Sequence, residues 1–525
     1  MRLGVLFLLL WGASLALAAD DGLGAPADET TAESALAEQP LPRQLAVRLR
    51  CRGPRVDASA LTDYSRVSWR GSDGQELFLV TERDPAEARL DDYVTVYATV
   101  APPGRGWSMT AGDVRPGWAT GLVLGRSRGP SGVPSHPGQD ADVVGWRSTA
   151  ENQSVRGLAL RGQGTRARWA VLLGQGRWDA RLDSLGQVVS LPTSGLHVSA
   201  TERAGRDQLA LEVAAGRLAA CAGGWTAGVS LAALSFGRPL DLRRAGRAPW
   251  GFHGQGLRLF SLDIDGHVKG CELRGEAALD HRGQGAQVLA ARRPCGRWRA
   301  RVLGRWRHPG FYSPLGNTAP VGERSLLMAA ERVRTQLFVD LHNQAAAAQS
   351  GAGAAGWSAG GAARWPGLRG GVLALRLEAE GRVAPGPATG QRLAGWRGAL
   401  GFDAAGRAQP AWHLGLAQRT WRRGPGITCH GSLVSAHRQL AVGRLQLWVQ
   451  GACFRTDGYY GRLYESERDL PGLASLRALY GHGGVLGALA SWSIGPALLS
   501  LRGRWQSGDA PGHLVAAQVD VSAGW

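Results

Sequence analysis

The sequence predicts an all-β protein, a large antiparallel transmembrane β-barrel of roughly 22 to 26 strands. Short runs of alternating apolar and polar residues, separated by Gly, Arg and Asp, continue from about residue 44 to the end of the chain of 525 residues. No stretch after the first 18 residues is apolar and long enough for a membrane helix. The last segment alternates strictly, as a closing barrel strand would.

The N-terminus predicts a secretory signal peptide over residues 1–18. Arg2 precedes an apolar core from Leu3 to Leu10, and Ala16 and Ala18 are the small residues of a cleavage site. Residues 19–42 are acidic and contain Ala, Gly and Pro, which predicts a disordered periplasmic lead-in. No linker divides residues 43–525, so they are predicted to form a single barrel domain.

The net charge of +18 comes almost entirely from arginine, with Lys269 the single lysine among 60 basic residues. Proteins that bind duplex nucleic acid usually concentrate charge on one face or helix, whereas these arginines are spread through successive strands. We therefore expect no nucleic-acid partner, and we expect most arginines to be solvated in the lumen or at the rims of the barrel.

Two segments place arginines on the face opposite to large apolar residues. Trp298, Val302 and Trp306 alternate with arginines in the first segment, and Leu501 and Trp505 do so in the second. The predicted basic row of the lumen, which would favour anionic solutes, consists of Arg297, Arg299, Arg301, Arg305, Arg502 and Arg504. The alternative is a neutral charge ladder, in which acidic residues of neighbouring strands such as Glu378 and Glu380 balance the arginines.

The last strand is predicted to be the C-terminal targeting strand by which barrels are recognised for insertion. One face of its period-2 pattern carries Val515, Ala517, Val519, Val521, Ala523 and Trp525. The barrel-assembly machinery is therefore an expected partner. An ordinary edge strand that stops at Trp525 is the alternative.

Two disulfides are predicted from the symmetry of cysteines about turns. Cys429 and Cys453 are symmetric about residue 441, and Cys271 and Cys295 are symmetric about Gly283. Directly opposed residues of a hairpin lie within disulfide reach. The alternative is that these cysteines are unpaired small apolar residues facing lipid.

Gly-, Pro- and Ala-rich stretches at 127–142, 236–254, 307–322, 343–356 and 466–482 are candidate extracellular loops. A barrel of this strand number would leave a wide pore unless something fills it. Inward-folded loops, or the segment from Gln44 to Trp69, are the candidate obstructions.

Four phrases resemble the barrel portion of a bacterial outer-membrane family in which helix-hairpin-helix repeats precede a large barrel. They run from Asp91 to Tyr93, from Ala111 to Val114 and on through Gly121 to Ser127, from Gly310 to Asn317, and from Gly461 to Gly472. The resemblance implies a large outer-membrane barrel. No Gly-rich helix-hairpin-helix repeat lies between Asp20 and Gln44, so a DNA-binding role is not carried over.

The leading functional hypothesis is a bacterial outer-membrane channel or transport component for unidentified, anionic solutes. One alternative is a non-conducting structural or docking barrel plugged by its own loops, and another is a soluble secreted β protein. No Gly-Xaa-Ser-Xaa-Gly motif and no metal-ligand spacing of histidines is found, so we expect no enzymatic activity, no cofactor and no metal. Expected partners are outer-membrane lipid and lipopolysaccharide, with an unidentified periplasmic partner.

Overall fold

The computed structural model describes residues 43–53, 61–85, 87, 92–125, 144–192, 195, 197–243, 250–317, 322–344, 354–366, 371–383, 392–404, 412–423, 427–458 and 461–524. The predicted signal peptide, the predicted lead-in and Trp525 lie outside this part of the chain.

In the described chain one sheet contains 27 strands, and all its pairings are antiparallel except that of β10 with β12. Three of these strands (β6, β9 and β10) are short pieces within long connections, so 24 antiparallel strands form the wall. In chain order the strands are β1 (Gln44–Gly53), β2 (Thr62–Arg70), β3 (Glu76–Arg83), β4 (Tyr93–Val100), β5 (Trp107–Arg115), β6 (Val144–Gly145), β7 (Val155–Gln163), β8 (Ala167–Trp178), β9 (Arg181–Leu182), β10 (Val188–Ser190), β11 (Leu209–Ala222), β12 (Trp225–Asp241), β13 (His253–Val268), β14 (Cys271–Asp280), β15 (Gly285–Cys295), β16 (Trp298–Arg307), β17 (Arg324–Arg332), β18 (Thr335–Gln344), β19 (Ala354–Pro366), β20 (Val372–Val383), β21 (Arg392–Asp403), β22 (Trp412–Arg423), β23 (Ile427–Val442), β24 (Leu445–Thr456), β25 (Leu463–Arg468), β26 (Ala474–Leu479), β27 (His482–Ile494), β28 (Ala497–Gln506) and β29 (Gly512–Gly524). A short helix, α1 (Ala200–Gly205), begins with a capping box between Ser199 and Glu202.

The first and last strands close the cylinder. β1 pairs with β29 along its whole length, from Gln44 opposite Gly524 to Gly53 opposite Val515. Closure leaves no open edge, because every wall strand has a neighbour on both sides. The predicted fold class and the predicted range of strand numbers are therefore confirmed.

The two ends of the barrel differ in the length of their connections. Two-residue turns join β11 to β12, β13 to β14, β23 to β24 and β27 to β28, all at the end where β1 begins and β29 finishes. At this short-turn end, Gly223–Gly224 and Lys269–Gly270 all have positive φ, as type I′ hairpin turns require. The opposite, long-loop end carries the connections 116–154, 179–208, 308–323 and 457–481.

Four of the five candidate extracellular loops lie at the long-loop end, with some of their residues in the adjoining strands. The fifth, 127–142, lies outside the described residues. Among the described residues, no helix is long and apolar enough to cross a membrane.

The outer surface of the wall is apolar. Leu173, Leu218 and Leu231 point outward and are 58%, 62% and 56% exposed, while their neighbours along each strand point inward. Outward tryptophans lie near both ends: Trp107, Trp169, Trp365, Trp412 and Trp492 near the short turns, and Trp306, Trp357, Trp396 and Trp505 near the long loops. This pattern has the form of a lipid-facing band between two aromatic girdles.

Two connections turn inward and fill part of the barrel from the long-loop end. These inward loops, residues 116–125 and 308–317, bring Trp118, Leu124, Phe311 and Leu315 against the inner wall. The wall contributes inward apolar side chains from β5 to β15 to the same core. The prediction of inward-folded loops agrees with this arrangement.

The prediction that the segment from Gln44 to Trp69 obstructs the lumen is wrong. Its two extended parts, β1 and β2, pair with each other and with their other neighbours as wall strands. If β1 and β2 lay in the lumen, their backbone pairing with β29 and β3 would be lost, and the cylinder would be open.

Candidate functional site: the lumen

A second obstruction, on the opposite side of the lumen, is the hairpin formed by β25 and β26. This lumen hairpin, residues 463–479, forms a two-stranded sheet of its own, with Leu463 opposite Leu479 and Arg468 opposite Ala474. No backbone ladder joins it to the wall in the described chain. It is held by contacts of its side chains and by hydrogen bonds that wall side chains donate to the carbonyl oxygen of Pro471.

Buried ion pairs fasten the middle of the lumen hairpin to β28. Arg502 Nη2 lies 2.6 Å from Glu467 Oε2, and Arg504 Nε lies 2.7 Å from Glu467 Oε1. Arg502 also forms an ion pair with Asp469. The four side chains are each at most 5% exposed, so solvent screens these pairs little.

The tip of the lumen hairpin reaches the seam at which the barrel closes. The carbonyl oxygen of Pro471 accepts hydrogen bonds from Gln518 Nε2 at 3.0 Å and from Arg50 Nη2 at 3.2 Å. Arg50 and Gln518 are paired across β1 and β29. Arg52 of β1 lies 3.5 Å from Asp469.

Apolar contacts support the lumen hairpin at both of its ends. Leu463 and Leu479 pack against Leu433, Phe454 and Val485 near the long-loop end. Near the tip, Leu470 and Leu473 pack with Trp448, Leu489 and Ala516. These clusters are small beside the core around the inward loops.

The inward loops are held by a carboxylate that the sequence did not single out. Glu276 Oε2 of β14 accepts hydrogen bonds from Thr120 N at 2.9 Å, Thr120 Oγ1 at 2.7 Å and Leu122 N at 3.1 Å. The two inward loops also bond to each other, with Gly125 N donating to Leu315 O at 2.8 Å.

The predicted basic row does not form one site. Nine wall strands separate β16, which carries Arg299, Arg301 and Arg305, from β28, which carries Arg502 and Arg504. Arg297 lies in the short turn before β16. Arg305 Nε lies 3.1 Å from Glu323 Oε1, and Arg299 lies 3.7 Å from Glu331.

Elsewhere in the lumen, acidic residues balance arginines in the manner of a charge ladder. Glu378 of β20 accepts hydrogen bonds from both Nε and Nη2 of Arg397, at 3.0 and 2.6 Å, and Glu380 accepts one from Arg419 at 2.7 Å. The acids that face Arg502 and Arg504 come from the lumen hairpin and not from the wall. The sequence did not indicate Glu467 and Asp469 because their partners are more than thirty positions away along the chain.

Three of the four phrases quoted for the family resemblance contribute to the filling of the lumen. Residues 121–125 of the first run and the run from Gly310 to Asn317 contribute to the inward loops, where Asn317 N donates to Gly121 O at 2.8 Å. The run from Gly461 to Gly472 contains β25 and the tip of the lumen hairpin.

A buried group of carboxylates surrounds His197 at the long-loop end. This His197 cluster consists of Glu87, Asp92, Glu151, Asp179 and His197. The ring nitrogens of His197 lie 2.8 Å from Asp92 Oδ2 and 2.8 Å from Asp179 Oδ2. The histidine could hold a metal ion with Glu87 and Asp92, or with Glu151 and Asp179, since the ligand atoms of each group lie within 4.8 Å of one another.

The titration of the His197 cluster follows from its burial. Burial, together with the negative charge of Asp179, raises the pKa of Glu151 to about 8. Burial lowers the pKa of His197, but hydrogen bonds to Asp92 and Asp179 outweigh it and leave the pKa raised. A protonated His197 that donates to both carboxylates satisfies the cluster without an ion. The sequence did not reveal it because its members come from three separate connections.

The last strand presents its apolar residues to the outside. Val515, Val519 and Val521 are outward and exposed, whereas Gln518 is buried in the lumen. The targeting role predicted for this face stays a prediction, and Trp525 lies outside the described residues.

Both predicted disulfides are wrong, because Cys429, Cys453, Cys271 and Cys295 are all free thiols. The turn between β23 and β24 is centred beyond residue 441, so Cys453 lies opposite Val434 and Cys429 lies opposite Trp421. In the other pair Cys295 lies beyond the ladder between β14 and β15, which ends at Glu272 opposite Arg292.

Known proteins resemble this chain only weakly. No family model and no curated protein matches it. The structure of the P pilus usher (PapC) translocation pore aligns with 92% of this chain and 100% of its own, at 9% identity and a TM-score of 0.37. FpvA of Pseudomonas aeruginosa, bound to heterologous pyoverdines, aligns with 93% of this chain and 72% of its own, at 10% identity and a TM-score of 0.41. The FrpB iron transporter of Neisseria meningitidis aligns with 92% of this chain and 81% of its own, at 8% identity and a TM-score of 0.39. Likeness at this level carries no argument about function.

Proposed function

We propose that this protein is a bacterial outer-membrane barrel that acts as a gated channel or transport component. The observation that carries the proposal is a closed cylinder, apolar outside and charged inside, whose lumen holds a hairpin attached without a backbone ladder to the wall. Because the backbone ladders of the wall are already complete without the hairpin, it can move without breaking any of them.

The outer face supports a membrane location. Strand after strand exposes leucine, valine or tryptophan outward, and a continuous apolar surface of this kind would drive association in water. In lipid the same surface is favourable, and closure satisfies the backbone groups. The soluble alternative has no partner surface in the described chain to cover this band.

The size of the barrel supports a route for solutes, because a closed wall of this many strands encloses a wide lumen. The inward loops pack against the wall from β5 to β15, and the lumen hairpin packs against the wall from β22 to β29.

The second candidate function is a non-conducting structural or docking barrel. The large apolar core around the inward loops favours it, because a core of that size would not open readily. On this view the lumen hairpin completes a permanent plug.

Planar-bilayer recording of the full chain and of a variant lacking residues 463–479 separates the two candidates. The ends of the deleted segment, Leu463 and Leu479, are paired, so a short Gly-Ser link can replace it without moving the wall. Deletion of the hairpin should turn a mostly silent protein into a conducting one. Heat-modifiable migration on a gel should first show that both proteins fold, and a folded but silent deletion variant supports the structural barrel instead.

A further inference from the structure

We infer that the lumen hairpin occupies a binding site for a polycarboxylate solute, and that such a solute opens the channel by replacing Glu467 and Asp469 on the arginines of β1 and β28. The inference rests on the proposed gated channel and names the chemical class of its ligand. Its basis is that two carboxylates of a detachable element form ion pairs with three arginines of a permanent wall.

The arginines Arg52, Arg502 and Arg504 form ion pairs with the lumen hairpin and with no carboxylate of the described wall. Gln506 of β28 gives Arg504 one further hydrogen-bond acceptor, at 2.7 Å. When the hairpin leaves, the positive charge of these three arginines becomes available to whatever anion is in the lumen. Guanidinium groups are suited to carboxylates, which they can bind through two parallel hydrogen bonds.

The geometry of the bound hairpin indicates a ligand with several carboxylates. Arg502 contacts both Glu467 and Asp469, while Arg504 contacts only the first and Arg52 only the second. The two acidic residues are two positions apart in sequence, and both are turned towards the wall and buried. A single carboxylate could replace one of them, whereas a ligand with two or more could replace both.

The lumen hairpin can leave without breaking the barrel. Its strands pair only with each other, so the hairpin keeps its own backbone hydrogen bonds when it moves. Within the hairpin, Arg477 lies 3.7 Å from Glu467 and is partly exposed, so this carboxylate retains a partner after release. Release leaves Arg502 without an ionic partner among the described residues, and a polycarboxylate can then take that place.

While the hairpin is in place, Glu467 and Asp469 occupy the arginines, so the ligand does not bind there. A ligand that binds only when the hairpin has left must shift the equilibrium towards the open form. The same linkage requires that weakening the hairpin contacts should open the channel without ligand.

The first experiment records single channels of the full-length protein with tricarballylate, which has three carboxylates, and with glycerol as the uncharged control. Tricarballylate should raise the opening frequency of the wild type, and glycerol should not. The double variant E467Q/D469N should open without tricarballylate, at a frequency on the order of tenfold above the wild type. The matched control E378Q removes a lumen carboxylate of similar burial that pairs with Arg397 and should leave the frequency unchanged.

The second experiment measures binding in the variant lacking residues 463–479, by calorimetry in detergent and by block of its current. Tricarballylate should bind, and R502Q/R504Q in this background should weaken binding by about tenfold or more, as expected for loss of charge-assisted hydrogen bonds. The control R376Q/R397Q removes two lumen arginines that pair with Glu378 and should not weaken binding.

The outcomes separate the inference from the proposed function. If the deletion variant conducts but tricarballylate neither binds it nor opens the wild type, the ligand site is refuted and the channel stands. If the deletion variant is folded and silent, the channel is refuted, and calorimetry still decides whether the arginines bind polycarboxylates. Equal weakening by R376Q/R397Q would also overturn the site, because it would indicate a general lumen charge effect.

Discussion

Replacement of Glu276 by alanine should release the inward loop 116–125 from the wall. One carboxylate oxygen accepts three hydrogen bonds from this loop, two from backbone N–H groups and one from the Thr120 hydroxyl. The site is buried, so the two N–H groups would lose their partner without gaining water. At about 1–3 kcal/mol for each unsatisfied buried donor, the loop should lose about 2–6 kcal/mol of local stability.

Hydrogen exchange read by mass spectrometry measures this loss directly. A loss of about 2 kcal/mol, the lower limit, corresponds to roughly thirtyfold faster exchange of amides that exchange by local opening of the loop. Glu276→Gln keeps an oxygen acceptor at the same place and should have a smaller effect than Glu276→Ala. The contacting loop 308–317 should exchange faster as well, because the two loops share backbone hydrogen bonds.

The control is Glu272→Ala on the same strand. Glu272 is partly exposed, lies 3.7 Å from Arg292 and makes no contact with the loop. Exchange in residues 116–125 should be unaffected by it. If Glu276→Ala also leaves exchange there unchanged in a folded barrel, the reasoning that assigns the loop's anchorage to this carboxylate is refuted.

Three further predictions concern pH, lipid and thiols. The pKa of Glu151 is about 8 in the folded protein, against an ordinary value of 4.5. Folding therefore takes up a proton at pH values between these two, and thermal stability should fall as pH rises from about 5 to 8. The substitution Glu151→Gln should flatten this pH profile. Leu231→Arg places a charge on the lipid-facing band and should destabilise the barrel by about 2–4 kcal/mol in denaturant titrations in lipid. Alkylation should label Cys429 and Cys453 equally with and without reductant, since both are free thiols.

Each of these has a result that counts against it. A pH profile of Glu151→Gln that superimposes on the wild type would contradict the proton uptake assigned to this residue. For the lipid-facing band, Val333→Arg is the control, because Val333 is 97% exposed in a short turn outside the band, and an equal cost there would contradict the depth argument. A mass increase on reduction before labelling would restore the predicted disulfides.

The sequence by itself determined the barrel and the two faces of its wall. Alternation has a period of two residues and is local, so Leu501 and Trp505 could be separated from Arg502 and Arg504 without knowing any partner strand. The structure places the first two outside and the arginines in the lumen. The range of strand numbers followed in the same way, because each strand carries its own pattern.

Only the tertiary structure decided what fills the lumen and which charges meet there. The pairing of Glu467 with Arg502, and that of Glu276 with Thr120, joins segments 35 and 156 positions apart. The register of the β23–β24 hairpin could not be predicted from the sequence either, because the position of its turn sets the register. The turn lies a few residues beyond the predicted position, so Cys429 and Cys453 are not opposite each other. Local alternation cannot report such contacts because their energy depends on where distant strands lie around the closed wall.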